Sequence, residues 1–71
     1  MSIKYHQDNF ADNLKILRNK TGKSQIEIST EMGINNRTYQ RLENKELQDV
    51  KLSTVIIILK YYNITLEELL K

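Results

Sequence analysis

The sequence predicts an all-α fold. Three observations carry that prediction: proline is absent from all 71 residues, glycine occurs only at Gly22 and Gly33, and the apolar residues recur at spacings of three and four. With so few breakers, a turn-rich sheet protein is disfavoured. A chain this short closes one hydrophobic core, so a single domain is expected over residues 9–71 behind a short N-terminal arm, residues 1–8. Cysteine is absent and His6 is the sole histidine, which removes disulfides and the usual zinc ligand sets as staples. Stability therefore has to come from packed apolar side chains, no cofactor is expected, and His6 is read as a terminal residue with no second ligand beside it.

The elements follow in order. Phe10, Leu14 and Leu17, with Ala11 and Ile16 beside them, mark the stripe of a first helix over about residues 9–20, started by Asp8 or Asn9 and closed at Thr21-Gly22. Ser24-Gln25-Ile26-Glu27 has the form of a capping box: the serine oxygen accepts a free amide and the glutamate three residues on reaches back. A second helix thus begins there, carries Ile28 and Met32 four apart, and stops at Gly33 after about two and a half turns. Asn35 caps a third helix whose inner positions are only Tyr39 and Leu42. Its outer face is Asn36, Arg37, Gln40, Arg41 and Asn44, all hydrogen-bonding groups. After a polar stretch, a fourth helix runs from about Leu52 to Tyr62, with Leu52, Val55, Leu59 and Tyr62 inward and Asn63 as its stop. Thr65-Leu66-Glu67-Glu68 repeats the capping-box pattern before a short last helix containing Leu66, Leu69 and Leu70.

The net charge of +2 is too small to name a partner, but its distribution is uneven. Between residues 13 and 45, Lys15, Arg18, Lys20, Lys23, Arg37, Arg41 and Lys45 stand against Glu27, Glu31 and Glu43, a net of +4, while the two flanks carry −1 each. A central excess of cations fits a domain with one side turned to phosphate. Two short helices around a glycine-containing turn, the second with a polar and basic outer face, form a unit that fits the major groove of DNA. Arginine can take guanine O6 and N7 there, and asparagine or glutamine can pair with adenine N6 and N7. Two arginines alone would be read as a solvated helix face; their place after the Ser24-Gln25 and Gly33 signals makes them DNA contacts. Lys15, Lys20 and Lys23 are read as solvation or long-range steering, with occasional phosphate contact as the alternative.

At this point the chain resembles a known family. Leu14-Lys15-Ile16-Leu17-Arg18, Gly22-Lys23-Ser24-Gln25, Met32-Gly33-Ile34 and Tyr39-Gln40-Arg41-Leu42-Glu43-Asn44-Lys45, followed by Leu66-Glu67-Glu68-Leu69-Leu70, look like the lambda-repressor-like, Cro/CI-type (XRE) helix-turn-helix family. The resemblance covers about residues 9–70. It implies a compact five-helix domain that binds operator DNA, commonly as a dimer, and regulates transcription. By position it implies base contacts from Asn36, Arg37, Gln40 and Arg41, and phosphate contacts from Gln25, Asn35, Thr38, Asn44 and Lys45. It also implies a partly buried structural ion pair, Arg18 with Glu43, joining the first helix to the third. Three departures stand out. Ser29 occupies a place where the family has alanine, and its hydroxyl can bond a carbonyl one turn back. Tyr39 replaces a smaller aliphatic residue, with its ring expected in the core and its hydroxyl emerging near phosphate. Val50-Lys51 replace a proline and a capping serine, so the start of the fourth helix is left open.

Val55-Ile56-Ile57-Ile58-Leu59 is a continuous apolar run, and one helix cannot turn all five side chains into one small core. Either Ile57 alone sits on the surface, or Ile56, Ile57 or Tyr61, with Leu66, Leu69 and Leu70 nearby, forms a homodimer interface. A two-fold dimer would set two reading helices about 34 Å apart, matching a partly palindromic operator in double-stranded DNA. The expectation is a sequence-specific transcriptional regulator, a repressor, reading the major groove with its third helix. The rival is an antitoxin or protein-interaction adaptor on the same fold, binding a protein partner through helices 4 and 5. An enzyme ranks last, since no nucleophile with a base, no paired carboxylates and no glycine-rich phosphate loop stand out. No apolar run approaches the roughly 20 residues of a membrane span and Met1 to His6 lacks a signal-peptide core, so a cytoplasmic protein without membrane contact is expected.

Overall fold

The computed structural model describes residues 2–4, 7–47 and 49–71, with side chains from Asn9 onward except at position 48. The order of elements is β1 (Ser2–Lys4), α1 (Gln7–Thr21), α2 (Gln25–Met32), α3 (Asn36–Glu43), β2 (Asp49–Lys51), α4 (Leu52–Tyr62) and α5 (Leu66–Leu70). His6 lies outside the described residues.

Each helix boundary has a local cause. Ser24 caps α2 through its side chain, which accepts from the Glu27 amide at 3.1 Å, while the Glu27 carboxylate accepts from the Ser24 amide at 2.9 Å. Gly33 ends the helix in the left-handed conformation at φ 76°, with its amide bonded to the Thr30 carbonyl and the Ile34 amide bonded to the Ser29 carbonyl. The same closure recurs after α4, where Asn63 takes φ 55° and the Ile64 amide reaches the Leu59 carbonyl at 3.1 Å. It recurs after α3 with Lys45 at φ 62° and the Glu46 amide on the Arg41 carbonyl. Thr65 and Glu68 form the second capping box, ahead of α5. The fourth helix begins at Leu52, with Lys51 as a cap that makes no side-chain bond.

The helices close on one core of Phe10 and Leu14 from α1, Ile28 and Met32 from α2, Ile34, Tyr39 and Leu42 around α3, Val50, Val55, Ile58 and Leu69. Ala11 is fully buried and keeps the surface of α1 small at that point. A chain-spanning bond from Asn13 Nδ2 to the Leu69 carbonyl, 2.7 Å, ties α5 onto α1.

Several expectations are corrected. The first helix begins at Gln7, so Asp8 and Asn9 lie inside its first turn rather than capping it. The expected arm over residues 1–8 contains β1 and the start of α1, and β1 pairs antiparallel with β2 in the register Ser2 to Lys51, Ile3 to Val50 and Lys4 to Asp49. Three-residue strands are too short to show an alternating pattern, and here Val50, buried in the core, is what anchors the ribbon. In α4 the fully buried residues are Val55 and Ile58, while Leu52, Leu59 and Tyr62 are half-buried. The inward stripe is thus centred one turn-face away from the expected set and takes in Ile58. Among the described residues no helix is long and apolar enough to cross a membrane.

Candidate nucleic-acid interface

The turn between α2 and α3 is three residues long, Gly33-Ile34-Asn35. Gly33 supplies the reversal, the buried Ile34 pins it to the core, and the Asn35 side chain caps α3 by accepting from the Thr38 amide at 3.1 Å. One face of α3 is committed inward through Tyr39, Leu42 and Glu43, all buried. The opposite face then has to look outward. Asn36, Arg37, Arg41 and Asn44 are exposed there and Gln40 is half-buried, a single stripe because residues three and four apart share a helix face.

The charges on this stripe are available. Arg37 has no ion-pair partner among the described residues, and Arg41 has only a long contact, Nε to Glu46 Oε1 at 4.0 Å, between two exposed side chains. Thr38 and Arg41 also border an open groove of about 440 Å³ between α3, β2 and the start of α4, floored by Ile34, Val50 and Ile57. Lys45 lies near Asp12, with Nζ 3.3 Å from Oδ1. Lys23 is engaged by Glu31, whose Oε1 lies 2.6 Å from its Nζ, and the Tyr61 hydroxyl donates to that same oxygen at 2.7 Å. Within that trio the Lys23 ammonium is raised and the Glu31 carboxyl lowered, each chiefly through their mutual hydrogen bond.

Behind the stripe lies a polar cluster that fixes the position of α3. Arg18 donates from Nε to Glu43 Oε2 at 2.7 Å and from Nη2 to Oε1 at 3.1 Å, the two-point geometry of a guanidinium on a carboxylate. Its Nη1 holds the Lys23 carbonyl at 2.9 Å, and Gln25 Nε2 donates to Glu43 Oε1 at 3.0 Å. The Glu43 side chain is fully buried. Burial pushes its carboxyl up, but the hydrogen bonds from Arg18 and Gln25, with the Tyr39 hydroxyl nearby, together outweigh that, and the net shift is downward. Glu43 stays ionised and holds α1, α2 and α3 to one centre.

The Tyr39 ring fills the core as expected, but its hydroxyl does not emerge. It is buried facing Glu43 and Tyr62, without a hydrogen bond of good geometry, and the Tyr62 hydroxyl is likewise unpartnered. Burial first, and the Glu43 carboxylate next, raise the Tyr39 phenol well above its ordinary range; burial and the neighbouring Tyr61 push Tyr62 up to about 12. The Ser29 hydroxyl does bond a carbonyl one turn back, Ile26 at 3.1 Å, and it reaches Asn36 as well. Sequence reasoning missed the Ser29–Asn36 and Gln25–Glu43 bonds, because each joins two helices.

Of the expected interface residues on α4 and α5, Ile56 and Leu66 are exposed, at 41% and 38%. Ile57, Tyr61 and Leu70 are partly buried against the core. Leu69 is fully buried, so its side chain belongs to this chain's own interior and drops out of the candidate interface.

A short helix pair around a tight turn, with a polar outer helix face and a core-anchored inner one, defines a helix-turn-helix domain. A family model described as helix-turn-helix matches residues 14–69. The chain belongs to that family, of the Cro/CI (XRE) type, and so to the DNA-binding transcription regulators that act on double-stranded DNA. No curated protein and no solved structure matches the chain.

Proposed function

We propose that this protein is a sequence-specific repressor that lays α3 in the major groove, with Asn36, Arg37, Gln40 and Arg41 meeting base edges. One observation carries the reading: α3 buries Tyr39, Leu42 and Glu43 and turns outward a stripe holding two arginines with no close partner among the described residues. Arginine in that setting suits the paired acceptors of guanine, and each good two-point base contact discriminates by roughly 1 to 3 kcal/mol. Gln25, Asn35, Thr38, Asn44 and Lys45 serve as phosphate contacts. The geometry supports this for Gln25 and Asn35, since each uses one end of its amide inside the protein and keeps a further N–H for an anion.

The protein acts as a homodimer on a partly palindromic operator. The exposure of Ile56 and Leu66, beside Ile57, Tyr61 and Leu70, favours a two-fold contact through α4 and α5. The same two exposed residues also favour the second reading, a protein partner such as a toxin docked on α4 and α5, with DNA binding retained. Sizing the protein alone and on a selected duplex separates these. Two copies per duplex, lost together with affinity in Ile56→Asp, support the homodimer, whereas one copy per duplex with full affinity contradicts it.

A further inference from the structure

The Ser29 hydroxyl is completely buried in the crossing of α2 and α3, yet it faces the first residue of α3. It donates to Asn36 Oδ1 at 2.5 Å, and the Thr30 hydroxyl lies 3.5 Å from the same oxygen. The shorter contact fixes which end of the amide points inward. A separation of 2.5 Å falls in the range of an O–H···O bond and below that of an N–H···O bond, so the carbonyl end meets Ser29. The Ile26 carbonyl, at 3.1 Å, takes the weaker share of the same proton. Asn36 itself is exposed, so its Nδ2 group is the end left facing solvent.

This has a chemical consequence for reading bases. A free asparagine amide pairs with adenine because it accepts from N6 while donating to N7. With Oδ1 held under α2, Asn36 can donate but cannot accept. Guanine offers two acceptors, O6 and N7, and thymine offers O4. Adenine shares the N7 acceptor but carries the N6 amino donor where guanine has O6, and cytosine carries the N4 amino donor where thymine has O4, so discrimination by Nδ2 arises at that O6/N6 or O4/N4 position.

We infer that Ser29 is a positioning residue for base specificity: it clamps the Asn36 amide in one orientation, so that Nδ2 donates to guanine O6 or thymine O4 and disfavours the amino group that adenine or cytosine places there. The inference rests on the proposed placement of α3 in the major groove. It adds the direction of the contact and the residue that sets it.

The test is selection from a random duplex pool by the wild type, Asn36→Ala, Ser29→Ala, the double variant and Asn36→Asp, with folding checked by circular dichroism. The position whose preference Asn36→Ala erases defines the contact. There the wild type favours guanine over adenine, or thymine over cytosine, by about fivefold or more. Ser29→Ala admits the rejected base to within about twofold, and adding Ser29→Ala to Asn36→Ala changes nothing further. Asn36→Asp keeps an oxygen for Ser29 and presents an acceptor outward, so its preference swings towards cytosine or adenine; this arm stands even if Ser29→Ala fails to fold. Retention of the wild-type preference in Ser29→Ala or Asn36→Asp overturns the inference. So does an Asn36→Ala variant that alters no position, while other positions remain selected and the DNA-reading role of α3 survives. A wild type that enriches no sequence removes the functional reading, and the inference with it.

Discussion

Arg18 of α1 grips Glu43 of α3 side-on, with Nε 2.7 Å from one carboxylate oxygen and Nη2 3.1 Å from the other. The two ends of this pair are unequally placed. The Glu43 side chain is fully buried, whereas Arg18 keeps 15% of its side chain in solvent.

That inequality predicts unequal mutants. Arg18→Ala leaves a buried carboxylate with Gln25 as its remaining close donor, and breaking a buried pair in this way costs roughly 3 to 5 kcal/mol. A domain of this size has about 4 to 11 kcal/mol in total, so the loss takes a large share of it and the variant should unfold at much lower urea than the wild type. Glu43→Gln leaves a guanidinium that can still reach water, and should cost less. Replacing both partners together, Arg18→Met with Glu43→Leu, should recover most of the loss. Urea denaturation of the four proteins checks the order.

The same pair sets a pH dependence. The folded carboxyl of Glu43 lies below its ordinary value of 4.5, so unfolding takes up a proton as the pH falls through that range. Its contribution is complete above pH 4.5 and disappears as the pH drops through the lower folded value. The gap in Tm between wild type and Glu43→Gln should therefore be constant from pH 7 to 5 and narrow below 4.5. A gap that widens on acidification would contradict the assignment. At the other extreme, Tyr62, raised from 10.0 to about 12, favours the neutral phenol in the folded state, and stability declines as the pH rises above 10.

Tyr39→Phe removes a buried hydroxyl that makes no well-formed bond. The expected outcome is unchanged or slightly raised stability, within about 1 kcal/mol, because an unsatisfied buried donor is itself costly. A bond delivered to the Glu43 carboxylate would instead be worth about 1.5 to 3 kcal/mol, and a loss of that size in thermal unfolding would show that the phenol supports the Arg18–Glu43 centre after all.

What could be read in the sequence was whatever is decided within a few residues. Ser24 with Glu27, Thr65 with Glu68, Gly33 and Asn63 each act on the backbone beside them, and the structure has two capping boxes and two left-handed closures at those places. The polar stripe from Asn36 to Asn44 was legible for the same reason, since it needs only the helical period and the two inner anchors Tyr39 and Leu42. What escaped was decided across the fold. The pairing of Ser2–Lys4 with Asp49–Lys51 joins segments some 47 positions apart in three-residue strands. Leu69 looked as free as Leu66 until α5 was laid on α1, which buries one and leaves the other exposed. The inward turn of the Tyr39 hydroxyl depends on Glu43 and Tyr62 meeting it from two helices. The grip of Ser29 on Asn36 depends on the crossing angle of α2 and α3, which periodicity does not specify.

The central claim is that α3 reads base edges through Arg37 and Arg41. Both are exposed and neither has a close partner among the described residues, so Arg37→Ala and Arg41→Ala should leave folding stability within about 0.5 kcal/mol of the wild type. The decisive measurement is selection from a random duplex pool at fixed salt by the wild type and these two variants. The account predicts an enriched, partly palindromic sequence for the wild type and a relaxed preference at one base position per half-site in each variant. Full wild-type selectivity in both variants, or no enrichment by the wild type even at low salt, would contradict it.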